Sequence, residues 1–241
     1  MNNKKDASIL ITGSSRGIGA ALARVCHQEG FEVILHGRSK SEDLLNLAKE
    51  LNSEIIYFDI TNEIELKNSL KNLKKLNILI NCAGINISKP FNDLSKADWQ
   101  SVYDVNVFGL VNVIKYTYPI LTKNQLSKII NISSIKGMHS SVGRAAYASS
   151  KASVINITSS LAKEFAPKII VNCVSPGFTK TEMTEKTWSK RIKNQVDSIL
   201  LDRMAEPKEI AEVVLFLCSE KCNYITGQNI IVDGGFSIKN V

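Results

Sequence analysis

Ser8-Ile9-Leu10-Ile11-Thr12 leads directly into Gly13-Ser14-Ser15-Arg16-Gly17-Ile18-Gly19 and then into Ala20-Ala21-Leu22-Ala23-Arg24-Val25-Cys26. The opening residues form an apolar, β-branched run of strand length, and the closing ones begin a helical pattern. Between them, glycines at 13, 17 and 19 permit a tight turn and a close approach of the backbone to a bound group. A strand turning through glycines into a helix N-terminus aims unpaired amides and the positive end of a helix dipole at one point, where a pyrophosphate can be held. Glycines alone say little. Here they sit inside a strand–turn–helix unit, which is the context that gives them meaning.

The same alternation continues along the chain. EVILH, EIIYF, NILIN, KIINIS, KIIVNCVS and NIIVDGG are separated by helix-like stretches, and such runs, apolar on both faces, fit parallel strands covered by helices on each side. The spacing predicts helices over Gly17–Glu29, Ser41–Leu51, Asn62–Lys74, Ala97–Lys123, Ala146–Phe165 and Pro207–Ser219, with Thr181–Arg203, polar and weakly periodic, suited to a lid or short helices over a site. No linker, repeat or low-complexity tract interrupts residues 1–241, so the expectation is one α/β domain: a single-domain Rossmann fold with a doubly wound seven-stranded parallel sheet and helices on both faces.

Composition narrows the class. The 241 residues are 44% hydrophobic and 22% charged, enough to bury roughly 70–75% of the unfolded surface without staples. Five cysteines (Cys26, Cys82, Cys173, Cys218, Cys222) make an odd number without a CxxC pair, which reads as reduced thiols rather than disulfides or a zinc site. The apolar runs fall short of the roughly 18–20 residues that span a bilayer, and MNNKKDASIL has no signal-type apolar core. A cytoplasmic protein without membrane or nucleic-acid partner is expected. The net charge of +7 comes from scattered lysines and by itself selects no partner.

The spacing of the first turn, Thr12-Gly13-x-x-x-Gly17-Ile18-Gly19, departs from GxGxxG and resembles the short-chain dehydrogenase/reductase family. The second strand ends in Gly37-Arg38, where a carboxylate would hold the ribose hydroxyls of NAD. Arg38 can pair with a 2′-phosphate through its planar fork, and Arg16 adds a second cation, so NADP(H) is the expected cofactor. By resemblance, Ser15 and Ile18 also belong to the phosphate turn, Asp59-Ile60 contacts adenine, and Asn81, Ala83 and Gly84 match the family's Asn-Asn-Ala-Gly motif with Cys82 replacing its second member. Pro176 and Gly177 resemble the segment around the nicotinamide, with Thr179 and Thr181 as carboxamide contacts.

Tyr147 alone among six tyrosines has a lysine four residues later, which on a helix places Tyr147 and Lys151 on one face. Taken alone that match is cheap. Ser134 lies thirteen residues before Tyr147, as in the family's Ser…Tyr-x-x-x-Lys arrangement, and Asn106 resembles its fourth catalytic member. Reducing a ketone builds negative charge on the carbonyl oxygen, which must then take a proton. A phenol can supply it, and a neighbouring ammonium favours the phenolate left behind. The resemblance further assigns Lys151 to the nicotinamide ribose, Ser134 to the carbonyl oxygen and Asn106 to a water relay. The enoyl-reducing branch places its tyrosine seven residues before the lysine, a position occupied here by Arg144.

In length, motif wording and ending the nearest resemblance is to the bacterial 3-oxoacyl-[acyl-carrier-protein] reductases of fatty acid synthesis, which implies a small-molecule or carrier-bound ketone as substrate and a homotetramer packed through Ala97–Lys123 and Ala146–Phe165. Their carrier is acidic, so Lys123, Lys128 and Lys168, on loops flanking the fifth and sixth strands, become candidate docking cations. Gly143-Arg144-Ala145-Ala146 departs from the Gly-Gln-x-Asn usual before the tyrosine, and an arginine there equally suits a carboxylate or sugar phosphate. Two other readings stay open: a reductase or dehydrogenase for a free alcohol, sugar or polyketide-like ketone, and a non-catalytic NADP-binding protein. Met138 and His139 are placed at the pocket edge, and His27 and His36 are read as structural.

Overall fold

The computed structural model describes residues 7–139, 141–185 and 196–239. All seven expected strands form: β1 (Ser8–Thr12), β2 (Glu32–Gly37), β3 (Glu54–Tyr57), β4 (Ile78–Asn81), β5 (Ser127–Ile132), β6 (Ile169–Pro176) and β7 (Asn229–Val232). They make one parallel sheet in the order β3-β2-β1-β4-β5-β6-β7. Strand order reverses between β1 and β4, so connections leave the carboxyl ends of these two strands in opposite directions and open a crevice there.

Alternate residues of β1 serve two cores. Ile9 and Ile11 pack with Leu22 and Val25 of α1 (Gly17–Gln28), Leu44 of α2 (Glu42–Leu51) and Val214 of a later helix on one face, whereas Leu10 joins Leu66 of α3 (Glu63–Leu70), Val113 and Val154 on the other. Burial on both faces is why these strands read as continuous apolar runs. Removing one such side chain, as in Leu22→Ala, costs about 2–5 kcal/mol.

The helices begin where small polar residues cap them. Ser41, Asn62 and Ser95 accept amide hydrogens at the starts of α2, α3 and α4 (Lys96–Tyr103). Two expected spans are shorter or interrupted. The predicted Asn62–Lys74 helix stops at Leu70, its last fully core-facing residue. The predicted Ala97–Lys123 helix comprises α4, a π-helical segment Asp104–Gly109 and α5 (Leu110–Leu121). Among the described residues the remaining α-helices are α6 (Ala145–Phe165), the single turn α7 (Glu182–Glu185) and α8 (Pro207–Cys218). Of the predicted lid stretch Thr181–Arg203, residues 186–195 lie outside the described residues. No helix among the described residues is long and apolar enough to cross a membrane.

The three candidate docking lysines are corrected by topology. Lys123 and Lys168 precede β5 and β6, at the amino ends of strands whose carboxyl ends open the crevice. A strand of six residues separates the two poles by about 20 Å. Lys128 is not on a loop at all: it lies within β5, 3% exposed, and its Nζ donates to the carbonyls of Leu217 at 3.3 Å and Ser219 at 2.5 Å. There it caps the carboxyl end of α8, and burial lowers its proton affinity.

Candidate active site

A cleft of about 580 Å³ opens at the carboxyl ends of the strands, lined by the glycine turn, the ends of β2, β4, β5 and β6, and the first turn of α6. The turn is built as the glycine spacing requires. Gly13 and Gly17 have φ of +68° and +56°, and a Cβ on Gly19 would lie 2.2 Å from the Gly13 carbonyl oxygen. Arg16 makes no side-chain cap on α1, and no acidic residue occupies its first turn. Its leading amides are therefore left to an anion. A Cβ on Gly17 would touch the Thr181 methyl at 3.4 Å, so the segment after β6 closes directly over the turn.

Around this cradle stand Ser15, Ile18, Arg38, Asp59, Ile60, Ala83 and Gly84, with Pro176, Gly177, Thr179 and Thr181 of the segment that ends and follows β6. Asp59 Oδ1 accepts from the Thr61 amide and hydroxyl. The Arg16 guanidinium meets Glu182 at 3.2 Å across the entrance, both side chains about half exposed, and such a pair is weak and readily exchanged. Thr181 and Thr184 share a hydroxyl hydrogen bond of 2.7 Å. Asn81 lies behind the lining: 3% exposed, it donates to Asn131 Oδ1 at 2.9 Å and ties β4 to β5, while its own Oδ1 has no partner.

Ser134, Tyr147 and Lys151 converge on one wall. Ser134 follows β5 and its Oγ accepts the Lys136 amide hydrogen at 3.1 Å, which leaves the hydroxyl hydrogen to be donated elsewhere. Lys151 Nζ is 6.0 Å from the centre of the Tyr147 ring and donates one hydrogen to the Ile132 carbonyl at 2.8 Å. Its side chain is 5% exposed. Asn106 stands behind this wall in the π-helical segment, 1% exposed. Its Oδ1 accepts from the Ile85 amide at 2.8 Å, and its Nδ2 donates to the Ile85 carbonyl at 2.9 Å and to Ser150 Oγ at 3.0 Å. A wider helical turn at a functional position is a recurrent device, and here it lets one amide grip the loop after β4. Gly84 connects the two layers: a Cβ built there would lie 3.2 Å from Asn106 Oδ1 and 3.5 Å from Lys151 Nζ.

Several further residues line the cleft without an expected role. Cys82 faces the cleft, but burial raises its thiol to about 11, so it stays protonated. Lys136 follows Ser134, with its Nζ 5.1 Å and 5.2 Å from the ring centres of Phe178 and Phe236. His36 and Phe58 also reach the cleft, and a lone histidine in a run of buried strand residues is the signal that finds them. Among the described residues no group of three His, Cys, Asp or Glu is placed to hold a metal ion.

A family model described as enoyl-(acyl carrier protein) reductase matches residues 13–237. The chain is 37% identical over 239 residues to the 3-oxoacyl-[acyl-carrier-protein] reductase FabG of Thermotoga maritima, covering 95% of this chain and 97% of that protein. It is 38% identical over 237 residues to nodulation protein G of Rhizobium sp. strain N33, covering 95% and 96%. Among solved structures, a putative gluconate dehydrogenase from Agrobacterium tumefaciens superposes with a TM-score of 0.93 at 27% identity, over 99% of this chain and 98% of that one.

Proposed function

The chain belongs to the short-chain dehydrogenase/reductase family, oxidoreductases that use a nicotinamide cofactor, and from this premise we propose that it reduces a 3-oxoacyl thioester, carried on acyl carrier protein, to the 3-hydroxyacyl product with NADPH. The observation that carries the reading is the convergence of Ser134, Tyr147 and Lys151 on one wall of a cleft whose far end is the glycine turn. The residues there fit the cofactor: the α1 amides are uncapped, the glycines leave room at the turn, and the lining residue at the tip of β2 is Arg38. Arg38 and Arg16 would hold a 2′-phosphate, with Arg16 exchanging Glu182 for it. When bound, the nicotinamide supplies the hydride.

The remaining chemistry belongs to the chain. Ser134, whose Oγ already accepts the Lys136 amide, has its hydroxyl hydrogen free to donate to the carbonyl oxygen of the ketone. Tyr147 donates the proton that the oxygen takes up. Lys151, with one hydrogen on the Ile132 carbonyl, retains two donors, one to stabilise the phenolate and one for a ribose hydroxyl. Asn106 completes the path by which Lys151 is reprotonated.

Arg144, where enoyl-reducing members of the family place a tyrosine, supports a ketone over an enoyl substrate. The 3-oxoacyl reading draws on the name of the Thermotoga relative. A free hydroxy acid or sugar is the second reading, favoured by the Arg144 guanidinium on the cleft wall. Exposed Phe108, Val111 and Tyr118 on or beside α5 support assembly of a homotetramer through α5 and α6, and five free thiols suit the cytoplasm. Oxidation of NADPH and NADH by acetoacetyl and crotonyl thioesters, and reduction of NADP⁺ and NAD⁺ by a panel of sugars and hydroxy acids, both followed by absorbance, test the proposal. Turnover of acetoacetyl thioester with NADPH is the expected result. Turnover confined to sugars or hydroxy acids would overturn the substrate, and a preference for NADH would overturn the cofactor.

A further inference from the structure

His36 occupies a place that neither catalysis nor a surface role explains. It lies on β2 and is 2% exposed, in a strand otherwise made of glutamate, aliphatic residues and glycine. The Gly13 amide donates to its Nδ1 at 3.2 Å, and its Nε2 is 3.0 Å from the Phe58 carbonyl oxygen. An amide can only donate, so Nδ1 carries no hydrogen; the one hydrogen of the neutral ring is on Nε2 and is donated to Phe58. The ring also packs against the Phe58 ring with centres 4.2 Å apart. Its main chain is tied to the next residue of the turn: the Ser14 amide donates to the His36 carbonyl at 2.9 Å, and the His36 amide donates to Ser14 Oγ at 2.9 Å.

Both partners of the ring lead into the cleft. Gly13 is the first glycine of the turn, and a Cβ there would lie 2.8 Å from Ala83 Cα, so its position is set from both sides. Phe58 immediately precedes Asp59 and Ile60, on the side assigned to adenine. We infer that His36 is a positioning residue that fixes the spacing between the phosphate turn and the adenine wall and thereby sets the affinity of the site for a dinucleotide. The inference rests on the proposed cofactor reading. An aliphatic residue would fill the same volume but leave the Gly13 amide and the Phe58 carbonyl without this bridge. Burial also holds the ring neutral, with its proton affinity lowered to about 4 against the opposing pulls of the Phe58 carbonyl and Asp59, and a second ring hydrogen would point at the Gly13 amide.

The test uses the full chain with His36→Leu and His36→Gln, the glutamine offering one acceptor and one donor on a single amide. His36→Leu is expected to weaken NADPH binding about tenfold, through two lost hydrogen bonds, with KM for NADPH rising accordingly and kcat moving less. His36→Gln is expected to recover most of the affinity. A purely structural residue would lower the melting temperature without separating KM from kcat. Unchanged NADPH affinity in a folded His36→Leu protein, or no recovery in a His36→Gln protein that melts like wild type, overturns the inference. Should His36→Leu fail to fold, histidine ¹⁵N resonances of the wild type decide: a neutral ring with hydrogen on Nε2 at neutral pH is expected, and a hydrogen on Nδ1 refutes the bridge. Wild-type protein that binds neither NADPH nor NADH refutes the cofactor reading itself, and with it the role given to His36.

Discussion

Substituting Gly84 with alanine probes whether the catalytic wall and the π-helical segment behind it act together. The added methyl meets only side-chain atoms at close range: Asn106 Oδ1 at 3.2 Å, Lys151 Nζ at 3.5 Å and Asn106 Cγ at 4.0 Å. Side chains can retreat by the few tenths of an ångström needed, so the fold should survive with a loss near the low end of the roughly 1–3 kcal/mol typical of overpacking. The chemical effect is larger. A methyl placed between a carboxamide oxygen and an ammonium replaces polar space with hydrocarbon, and if the relay to Lys151 passes there the expected loss is that of one hydrogen bond to a charged group, about 1.5–3 kcal/mol. Expressed in the transition state, that is about a 10- to 150-fold fall in kcat. The assay is steady-state oxidation of NADPH by acetoacetyl thioester, with melting curves and NADPH titration as controls. Asn106→Ala and the double variant complete a cycle: if both changes interrupt one path, the double variant falls little below the worse single one. A folded Gly84→Ala enzyme with kcat within about threefold of wild type, or losses that multiply in the double variant, would refute the idea that Lys151 is served through Asn106.

Tyr147→Phe should lower kcat by about 10²–10⁴-fold while leaving NADPH binding intact; surviving turnover, measured by cofactor oxidation, would remove Tyr147 from the proton's path. Arg38→Asp should move the kcat/KM preference from NADPH toward NADH, because a carboxylate repels the 2′-phosphate and accepts ribose hydroxyls; an unchanged preference would place phosphate recognition elsewhere. His36 also predicts a pH dependence of stability. Its proton affinity is lowered on folding from 6.5 to about 4, so the unfolded chain binds the extra proton first. Its contribution is fully present above about pH 6.5 and is lost as pH falls toward 4, at up to about 1.4 kcal/mol per pH unit. The denaturant midpoint of wild type should fall relative to that of His36→Gln over that window, and parallel curves would contradict a buried neutral ring.

The sheet was legible because parallel strands buried on both faces leave continuous apolar runs, and each of the seven runs became a strand. The glycine turn and the Ser134, Tyr147 and Lys151 wall were legible because their geometry is local or follows from the strand ends. The π-helical segment was not. Asp104–Gly109 keeps a helical pattern, and what widens the turn is visible only once Asn106 is seen to bind Ile85 on the loop after β4. His36 reads as structural from sequence for the same reason: nothing in EVILH indicates that the ring bridges Gly13 to Phe58. Asn81 and Cys82, adjacent in one motif, point to different sides because alternate residues at a strand end do so, sending one into the sheet and the other to the cleft.

One rule of topology explains both what converged and what did not. In a parallel sheet every residue that follows a strand lies at one pole and every residue that precedes a strand lies at the other. Ser134, Arg38, Asp59, Gly84 and Pro176 follow or end strands and therefore meet, though up to 138 positions separate them. Lys123 and Lys168 precede strands and stand at the far pole, close as they are in sequence to β5 and β6. The net charge of +7 is consequently not a field focused on the cleft. Near its mouth Arg16 and Lys180 are matched by Glu182 and Glu206, and Lys128 is spent on the carboxyl end of α8. An acidic carrier approaching the mouth beside Glu182 and Glu206 would find paired charges there, so we expect a single subunit to recognise a carrier-bound substrate chiefly through the thioester, its acyl chain and Arg144 on the cleft wall. Acetoacetyl groups on a carrier and on a small thiol should then differ little in kcat/KM, and a large preference for the carrier would overturn this reading of the charges.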